Sequence, residues 1–293
     1  MIKIIVLTFV YPSVMKYFGQ FLGSMNQQSN KLFELYIVND NVENLEEFIT
    51  FQNINVKIRV IPISGGFSPS QIRTIGIQWA INASADCIIF ADADDYFARN
   101  RVEVSAKLLE SKDLIFNDLV AVGKGINIPK SLLTKRFKEG DAISFSDLEN
   151  SNCLGLTNTA VKTKELHSVI EQTTKDVIAY DWYLFSLLLR KGLLAWFTQQ
   201  THTYYRQHDC NIASLTNFDD NSIVAGIKVK MLHYEANTIF GKMYEEKAVQ
   251  FRNLYNQIEK DALLKSYYCS KVRQSIMDSP LWWENIITQE DLK

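Results

Sequence analysis

The sequence predicts an α/β protein with a mostly parallel sheet flanked by helices, completed by a C-terminal helical extension. Three observations carry that expectation. Short β-branched or aromatic runs recur, each followed by polar residues and a helix-like stretch, which is the β-α-β rhythm of a parallel sheet. Between the third and fourth runs, Ser68-Pro69-Ser70-Gln71 combines an N-cap serine, proline at the first helical position and glutamine where a capping box needs it. From about Asp219 the pattern becomes nearly continuous helix rich in Lys, Glu, Tyr and Leu, broken at Gly241.

Taken in order, the first four strands fall at residues 2–7, 34–38, 56–61 and 87–91. The helix opening at Pro69 sets Ile72, Ile75, Gly76 and Trp79 on one face, with Arg73 beside them. A second helix is expected from Asp95 to about Glu110, then a strand at 113–117. After Ser151 the texture is mixed, with a strand near 154–161, a helix across 178–190 and strands within 194–205. The chain's 293 residues suit one large α/β domain with an extension, or two domains, with the division expected between 1–218 and 219–293.

Composition narrows the function classes. With 47% apolar and 22% charged residues the chain reads as an ordinary globular protein. The net charge of −2 comes from interspersed acids and bases, with no basic run, so nucleic acid is not an expected partner. Cys87, Cys153, Cys210 and Cys269 lie far apart without a C-x-x-C pair, which points away from zinc or a disulfide framework and towards a reducing, cytoplasmic compartment. The apolar opening runs into Tyr11-Pro12 without a basic leader or cleavage site, so it reads as a strand and not a signal peptide. The apolar stretch 184–197 is interrupted by Arg190-Lys191-Gly192 and falls short of the roughly twenty residues a membrane span requires, so a soluble chain is expected.

In an open α/β sheet ligands sit beyond the carboxyl ends of the strands. The residues to inspect are therefore Thr8, Phe9 and Tyr11, then Asn39 and Asp40, then Asp92-Ala93-Asp94-Asp95. The last group crowds three carboxylates after a buried strand. Such acids repel one another, and a divalent cation relieves the repulsion while offering an electrophile to phosphate oxygens. The plainer alternative is that they form a turn and cap the next helix. Asp181 falls on one helical stripe with Ile178, Phe185 and Leu188, an odd position for a carboxylate unless that face lines a cleft. Its alternative role is the N-cap of a helix beginning at Trp182.

These segments, in their order, resemble the family two inverting glycosyltransferases, whose nucleotide-binding fold is of the GT-A type. The resemblance covers roughly residues 1–214. It rests on Val6-Leu7-Thr8-Phe9-Val10-Tyr11, residues 34–41, Ile72-Arg73-Thr74-Ile75-Gly76, residues 90–95, Tyr180-Asp181 with Leu188-Leu189-Arg190-Lys191-Gly192, and Tyr204-Tyr205-Arg206-Gln207-His208. It implies that Thr8, Phe9 and Tyr11 line the base and ribose, and that Asp40 accepts a hydrogen bond from a uracil-like ring N–H. It sets Arg73 near the diphosphate or the metal carboxylates and Asp92 with Ala93 on the ribose side. Asp94 is implied as the ligand of Mn²⁺ or Mg²⁺, with His208 as a further metal ligand or diphosphate contact. Asp95 touches the donor sugar or caps the following helix, Arg206 pairs with phosphate or a core acid, and Asp181 is the general base. Cys210 has no evident role. The sequence departs from the family pattern at Asn39, where an acid often stands, at Thr74, where Asn is common, and at Tyr180, where Glu is common.

The implied activity is inverting transfer of a hexosyl or N-acetylhexosaminyl group from a nucleotide-diphosphate donor, UDP-sugars being favoured. The implied acceptor is a hydroxyl of a cell-surface glycan or lipid-linked oligosaccharide. Two alternatives stand beside it: a nucleotidyltransferase, for which residues 8–13 lack the usual glycine-rich basic phosphate loop, and a non-catalytic nucleotide-sugar-binding or scaffold module. The tail is expected to shape the acceptor site or a homo-oligomer contact. Its Leu281-Trp282-Trp283 either meets a partner or a membrane interface, peripheral to the inner face, or packs back onto the catalytic domain.

Overall fold

A computed structural model describes residues 2–127, 130–173, 175–208, 215, 218–275, 282–288 and 290. Its first strand, β1 (Ile4–Val10), is buried along its whole length because helices cover both faces of the sheet. The two-residue period of the strand sorts its side chains into two cores: Ile5, Leu7 and Phe9 enter one, and Ile4, Val6 and Val10 enter the other. Helix α1 (Met15–Asn26) closes the second core with Phe18, Phe21, Leu22 and Met25. Strand β2 (Glu34–Asp40), helix α2 (Leu45–Phe51) and strand β3 (Lys57–Ile63) follow.

Helix α3 (Pro69–Asn82) begins with the expected capping box: the Ser68 Oγ accepts from the Gln71 N–H at 3.4 Å, and the Ser68 N–H donates to Gln71 Oε1 at 2.8 Å. Its buried residues are Ser70, Ile72, Thr74, Gly76, Ile77 and Ala80. Of the face read from the sequence, Ile72 and Gly76 are buried while Trp79 is 41% exposed, with the Arg59 guanidinium 5.1 Å from its ring. Gly76 is required by close approach, since a Cβ there would stand 2.6 Å from Phe9 and 2.8 Å from Val38.

Strand β4 (Cys87–Asp92) leads into the short β5 (Tyr96–Phe97) and helix α4 (Arg101–Leu109). The helix expected from Asp95 therefore starts six residues later, because Tyr96 and Phe97 pair antiparallel with residues Tyr204 and Thr203. Then come β6 (Leu114–Gly123), the two-residue β7 (Lys130–Ser131) and β8 (Ala142–Ile143), β9 (Thr159–Lys162), α5 (Thr163–His167), α6 (Tyr180–Arg190) and β10 (Ala195–Gln207). The expected strand at 154–161 is thus reduced to β9, with a 3₁₀ turn at Leu156–Asn158 before it. The sheet order is β3-β2-β1-β4-β9-β6-β10-β5. Strands β1 to β4 pair parallel, as do β6 and β10, whereas β9 runs antiparallel between β4 and β6.

The tail forms three helices, α7 (Asp220–Ala236), α8 (Lys242–Ile258) and α9 (Ala262–Ser275). Asp219 caps the first by accepting from the Ser222 N–H at 2.8 Å. Gly241, at φ 122°, makes the break foreseen between the first two. Ile223, Tyr234, Phe251, Ile258 and Tyr268 of the tail share one hydrophobic core with Phe185 and Leu188 of α6, and Trp283 packs against it. Of the expected functional stretches, Cys210 and Leu281 lie outside the described residues. Among the described residues no helix is long and apolar enough to cross a membrane.

Candidate functional site

The chain builds outward from β1 to β2 and β3, then returns to the other side of β1 with β4. A sheet that reverses direction in this way leaves a crevice beyond the carboxyl ends of the two diverging strands. A cavity of about 340 Å³ opens there, and Phe9, Tyr11, Arg73, Asp92, Ala93, Asp94, Asp95 and Asp181 all line it. Of the residues singled out from the sequence, Thr8, Asn39, Asp40, Arg206 and His208 are not among those that line it. Thr8 is wholly buried because it points into the sheet's interior, and its hydroxyl has no hydrogen-bond partner among the described residues. Asp40 ends β2, one strand away from the β1–β4 crevice, and its carboxylate accepts from the Asn41 amide at 2.8 Å. Asn39, the departure beside it, closes the turn after β2 through two hydrogen bonds with the Val42 backbone, at 2.8 and 3.0 Å.

The acids after β4 have distinct environments. Asp95 is 2% exposed and accepts from the Arg206 N–H at 2.7 Å, so a partner far along the chain, and not a helix N-terminus, holds it. Its other carboxylate oxygen has no hydrogen-bond partner among the described residues. Asp94 meets His208, with Oδ2 and Nε2 2.8 Å apart, and the imidazole stacks on the Tyr17 ring at 4.7 Å. The Arg206 Nε donates to the Asp94 carbonyl at 2.7 Å, and its guanidinium also bonds Gln20. The end of β10 thus clamps the acidic turn.

Burial pushes Asp92 up to about 7; Asp94 and Asp181 add to the rise, and Arg73 and Arg101 oppose it. Burial also raises Asp95 well above the ordinary carboxylate range, with Asp94 and Asp92 acting in the same direction. Beneath these acids lies a cation that sequence reasoning missed. Arg101 is fully buried, donates to Thr203 Oγ1 at 2.7 Å and to the carbonyls of Thr157 and Phe90, and sits 3.8 Å from the Phe97 ring centroid. Burial lowers its pKa to about 9, against the pull of Asp95 and Asp92. Its one signal in the sequence was nearness to the acids.

Asp181 is half-buried in the first turn of α6, whose N-cap is Ala179, so the capping alternative for a helix starting at Trp182 does not hold. Its Oδ1 accepts from the Trp182 N–H at 2.8 Å. On the stripe read from the sequence, Phe185 and Leu188 enter the core while Ile178 and Asp181 line the cavity. Burial raises the Asp181 pKa, opposed by the Trp182 N–H and by Arg73. The neighbouring residues fasten α6 to α3: the Tyr180 hydroxyl lies 3.1 Å from Thr74 Oγ1, which also donates to the Thr173 carbonyl at 2.9 Å. Gly155 crosses close by, with Asp181 Oδ2 3.8 Å from where its Cβ would stand.

The chemistry of the donor set suits a hard or borderline divalent ion. Asp94 and His208 already converge within hydrogen-bond distance, and the neighbouring acids carry the mutual repulsion that a cation relieves. Among the described residues no three His, Cys, Asp or Glu side chains form a closed cage. A metal held here would therefore take its remaining positions from ligand oxygens and water.

Comparisons with known proteins agree with this geometry. The model of a family described as "Glycosyl transferase family 2" matches residues 4–170. An uncharacterized glycosyltransferase of Rickettsia bellii is 29% identical over 99 residues, 33% of this chain and 14% of that protein. The uncharacterized glycosyltransferase YwdF of Bacillus subtilis is also 29% identical over 99 residues, 34% of this chain and 35% of that protein. The match thus spans about a third or less of these relatives' length. Among solved structures, S. aureus TarS in complex with UDP-GlcNAc superposes with a TM-score of 0.58 at 15% identity, covering 97% of this chain and 90% of that one. The mannosyltransferase PcManGT from Pyrobaculum calidifontis, in complex with GDP-Man and Mn²⁺, superposes at 0.55 with 11% identity, covering 97% and 83%. At such identities the likeness establishes the fold, which is that of GT-A glycosyltransferases.

Proposed function

This chain belongs to glycosyl transferase family 2, and from that premise we propose that it transfers a sugar, with inversion, from a nucleotide-diphosphate donor to an acceptor hydroxyl. The observation that carries the reading is one cavity, at the switch point of the sheet, that gathers Asp92, Asp94, Asp95, Arg73 and Asp181. Residues 1–218 form the transferase domain in this reading and 219–293 the helical extension. UDP is the favoured nucleotide, and the acceptor belongs to a cell-surface glycan or lipid-linked oligosaccharide.

Phe9 and Tyr11 offer apolar surface to the base, while Asp92 receives the ribose hydroxyls. Arg73, whose charge acts on both Asp92 and Asp181, faces the diphosphate. Asp94 and His208 would hold Mn²⁺ or Mg²⁺, which supplies Lewis-acid stabilisation of the departing nucleoside diphosphate. Asp181 removes the proton from the acceptor hydroxyl as that oxygen forms its bond to the anomeric carbon and the bond to the diphosphate oxygen breaks. A raised pKa at Asp181 supports this role, because a stronger base takes up the acceptor proton more readily.

The test is thermal stability of the wild type and Asp94→Asn with and without Mn²⁺, across UDP, GDP, CDP and dTDP. A ligand at about a hundred times its dissociation constant adds roughly 2.7 kcal/mol. One nucleotide is expected to stabilise the wild type with metal present, and Asp94→Asn is expected to lose the metal-dependent part. If no nucleotide shifts either protein, the transferase reading falls and a non-catalytic module takes its place.

A further inference from the structure

The chemistry proposed above uses one wall of the cleft. The other is formed by Gly226, Val229 and Lys230 of α7 together with Trp283, residues remote in sequence from every acid discussed. The N-terminus of α6 divides the two. Asp181 feels Arg73 and acts on Asp92, whereas the next residue, Trp182, stacks flat on His233 of α7, with ring centres 3.6 Å apart and planes within 11°.

This second wall is built in. The Lys230 ammonium donates to the carbonyls of Asn150 and Ile286, so α7 grips the segment that carries Trp283. The Tyr268 hydroxyl donates to the Ile287 carbonyl at 2.7 Å, and Arg136 pairs with Glu284 at 2.6 Å. Ile286 is completely buried. A segment held at so many points is a wall and not a lid. Gly226 adds a second indication: in a helix interior glycine costs about 1 kcal/mol relative to alanine, yet here it stands buried within α7 and lines the cavity.

Gly226, Val229 and Trp283 give this part of the lining an apolar, aromatic character, and the Asp181 carboxylate lines the same cavity. A sugar ring presents a face of C–H groups and a rim of hydroxyls, which matches that contrast. We propose that Trp283, with Gly226 and Val229, forms an acceptor subsite for a saccharide ring, its C–H face against the Trp283 wall and one hydroxyl turned towards Asp181. The proposal rests on the transferase reading and assigns the tail a part in choosing the acceptor.

The test loads the full chain with UDP and Mn²⁺ and titrates it with methyl glycosides of glucose, galactose, N-acetylglucosamine and N-acetylgalactosamine, followed by ligand-observed NMR. At least one glycoside is expected to bind saturably. Trp283→Ala is expected to weaken it roughly tenfold, the loss of one aromatic contact, while Trp283→Phe retains most of the affinity and both variants keep the wild-type thermal shift with UDP. Unchanged glycoside affinity in Trp283→Ala, equal loss in Trp283→Phe, or no saturable binding to a wild type that binds UDP overturns the subsite. So does affinity that follows chain length in n-alkyl glucosides and ignores the sugar, which marks a lipid site instead. A wild type that binds no nucleotide overturns the transferase reading itself and this subsite with it.

Discussion

The acid wall of the cleft is four consecutive residues at the end of one strand, Asp92 to Asp95, whereas the opposite wall is assembled from Gly226, Val229, Lys230 and Trp283, spread over two distant parts of the chain. The first wall is electrostatically tense: its carboxylates raise one another's pKa, and a buried arginine beneath them offsets part of the cost. The second is quiet, its one cation engaged by backbone carbonyls. The contrast separates two kinds of task. Charged groups that raise one another's energy are ready to respond to a ligand carrying charge, while a settled apolar surface recognises shape.

The sharpest way to break the comparison is at Asp181, where the walls meet. Asp181→Asn is expected to slow transfer by roughly 10²–10⁴-fold, the usual range for a lost general base, with UDP and glycoside affinities retained on both sides. Because burial raises its pKa, the acid limb of the wild-type rate profile is expected above the range of an exposed carboxylate. The same shift fixes a stability sign. The folded state holds the proton more tightly than the unfolded chain, so that contribution is full at pH below the unfolded value and is lost as pH rises through the folded one. Asp181→Asn is therefore expected to gain on the wild type in melting temperature as pH rises above the ordinary carboxylate range, and an opposite trend would sink the assignment of burial as the dominant cause.

A second intervention acts on the acid wall alone. Arg101→Met removes the only cation that is fully buried beside Asp92 and Asp95 among the described residues, together with its hydrogen bonds to Thr157, Thr203 and Phe90. A loss of about 3–5 kcal/mol in urea unfolding is expected, with nucleotide binding impaired at temperatures where the variant is still folded. The smallest effect is set by Gly76→Ala. The new methyl meets Phe9 and Val38 at 2.6 and 2.8 Å, so α3 or β1 must shift at a cost of about 1–3 kcal/mol. Since Phe9 lines the cleft, UDP affinity is expected to fall while methyl-glycoside affinity holds, measured by the same two titrations.

The same contrast explains what could be read beforehand. Strands β1, β2 and β4 are short apolar runs with polar stops, and the capping box at Ser68 and the break at Gly241 are local codes, so periodicity and turn chemistry were enough. The acid run was visible because it is contiguous. Its details were not: Asp95 looks like a cap to any local rule, and its partner Arg206 is 111 residues away. Thr8 and Asp40 stand at promising strand ends, but one faces the interior and the other sits a strand beyond the crevice. Arg101 was hidden by the sound expectation that arginine stays at the surface. The mixed half of the sheet was harder still, because the antiparallel β9 is four residues long and β10 carries a register shift between Thr198 and His202. Of the tail wall only Trp283 stood out, as part of Leu281-Trp282-Trp283, whereas Gly226, Val229 and Lys230 are ordinary helix residues brought to it by the fold.

The hydroxyl contact between Thr74 and Tyr180 joins the two departures from the family pattern that flank Arg73 and Asp181. These positions are a hundred residues apart in the chain, yet they behave as one character. The pair of hydroxyls helps to set the span between the helix that carries Arg73 and the helix that carries Asp181, so a relative carrying the commoner residue at only one of them would have to reset that span somewhere else. Swapping motifs one at a time between members of the family would mistune it, whereas exchanging both together would carry the setting across.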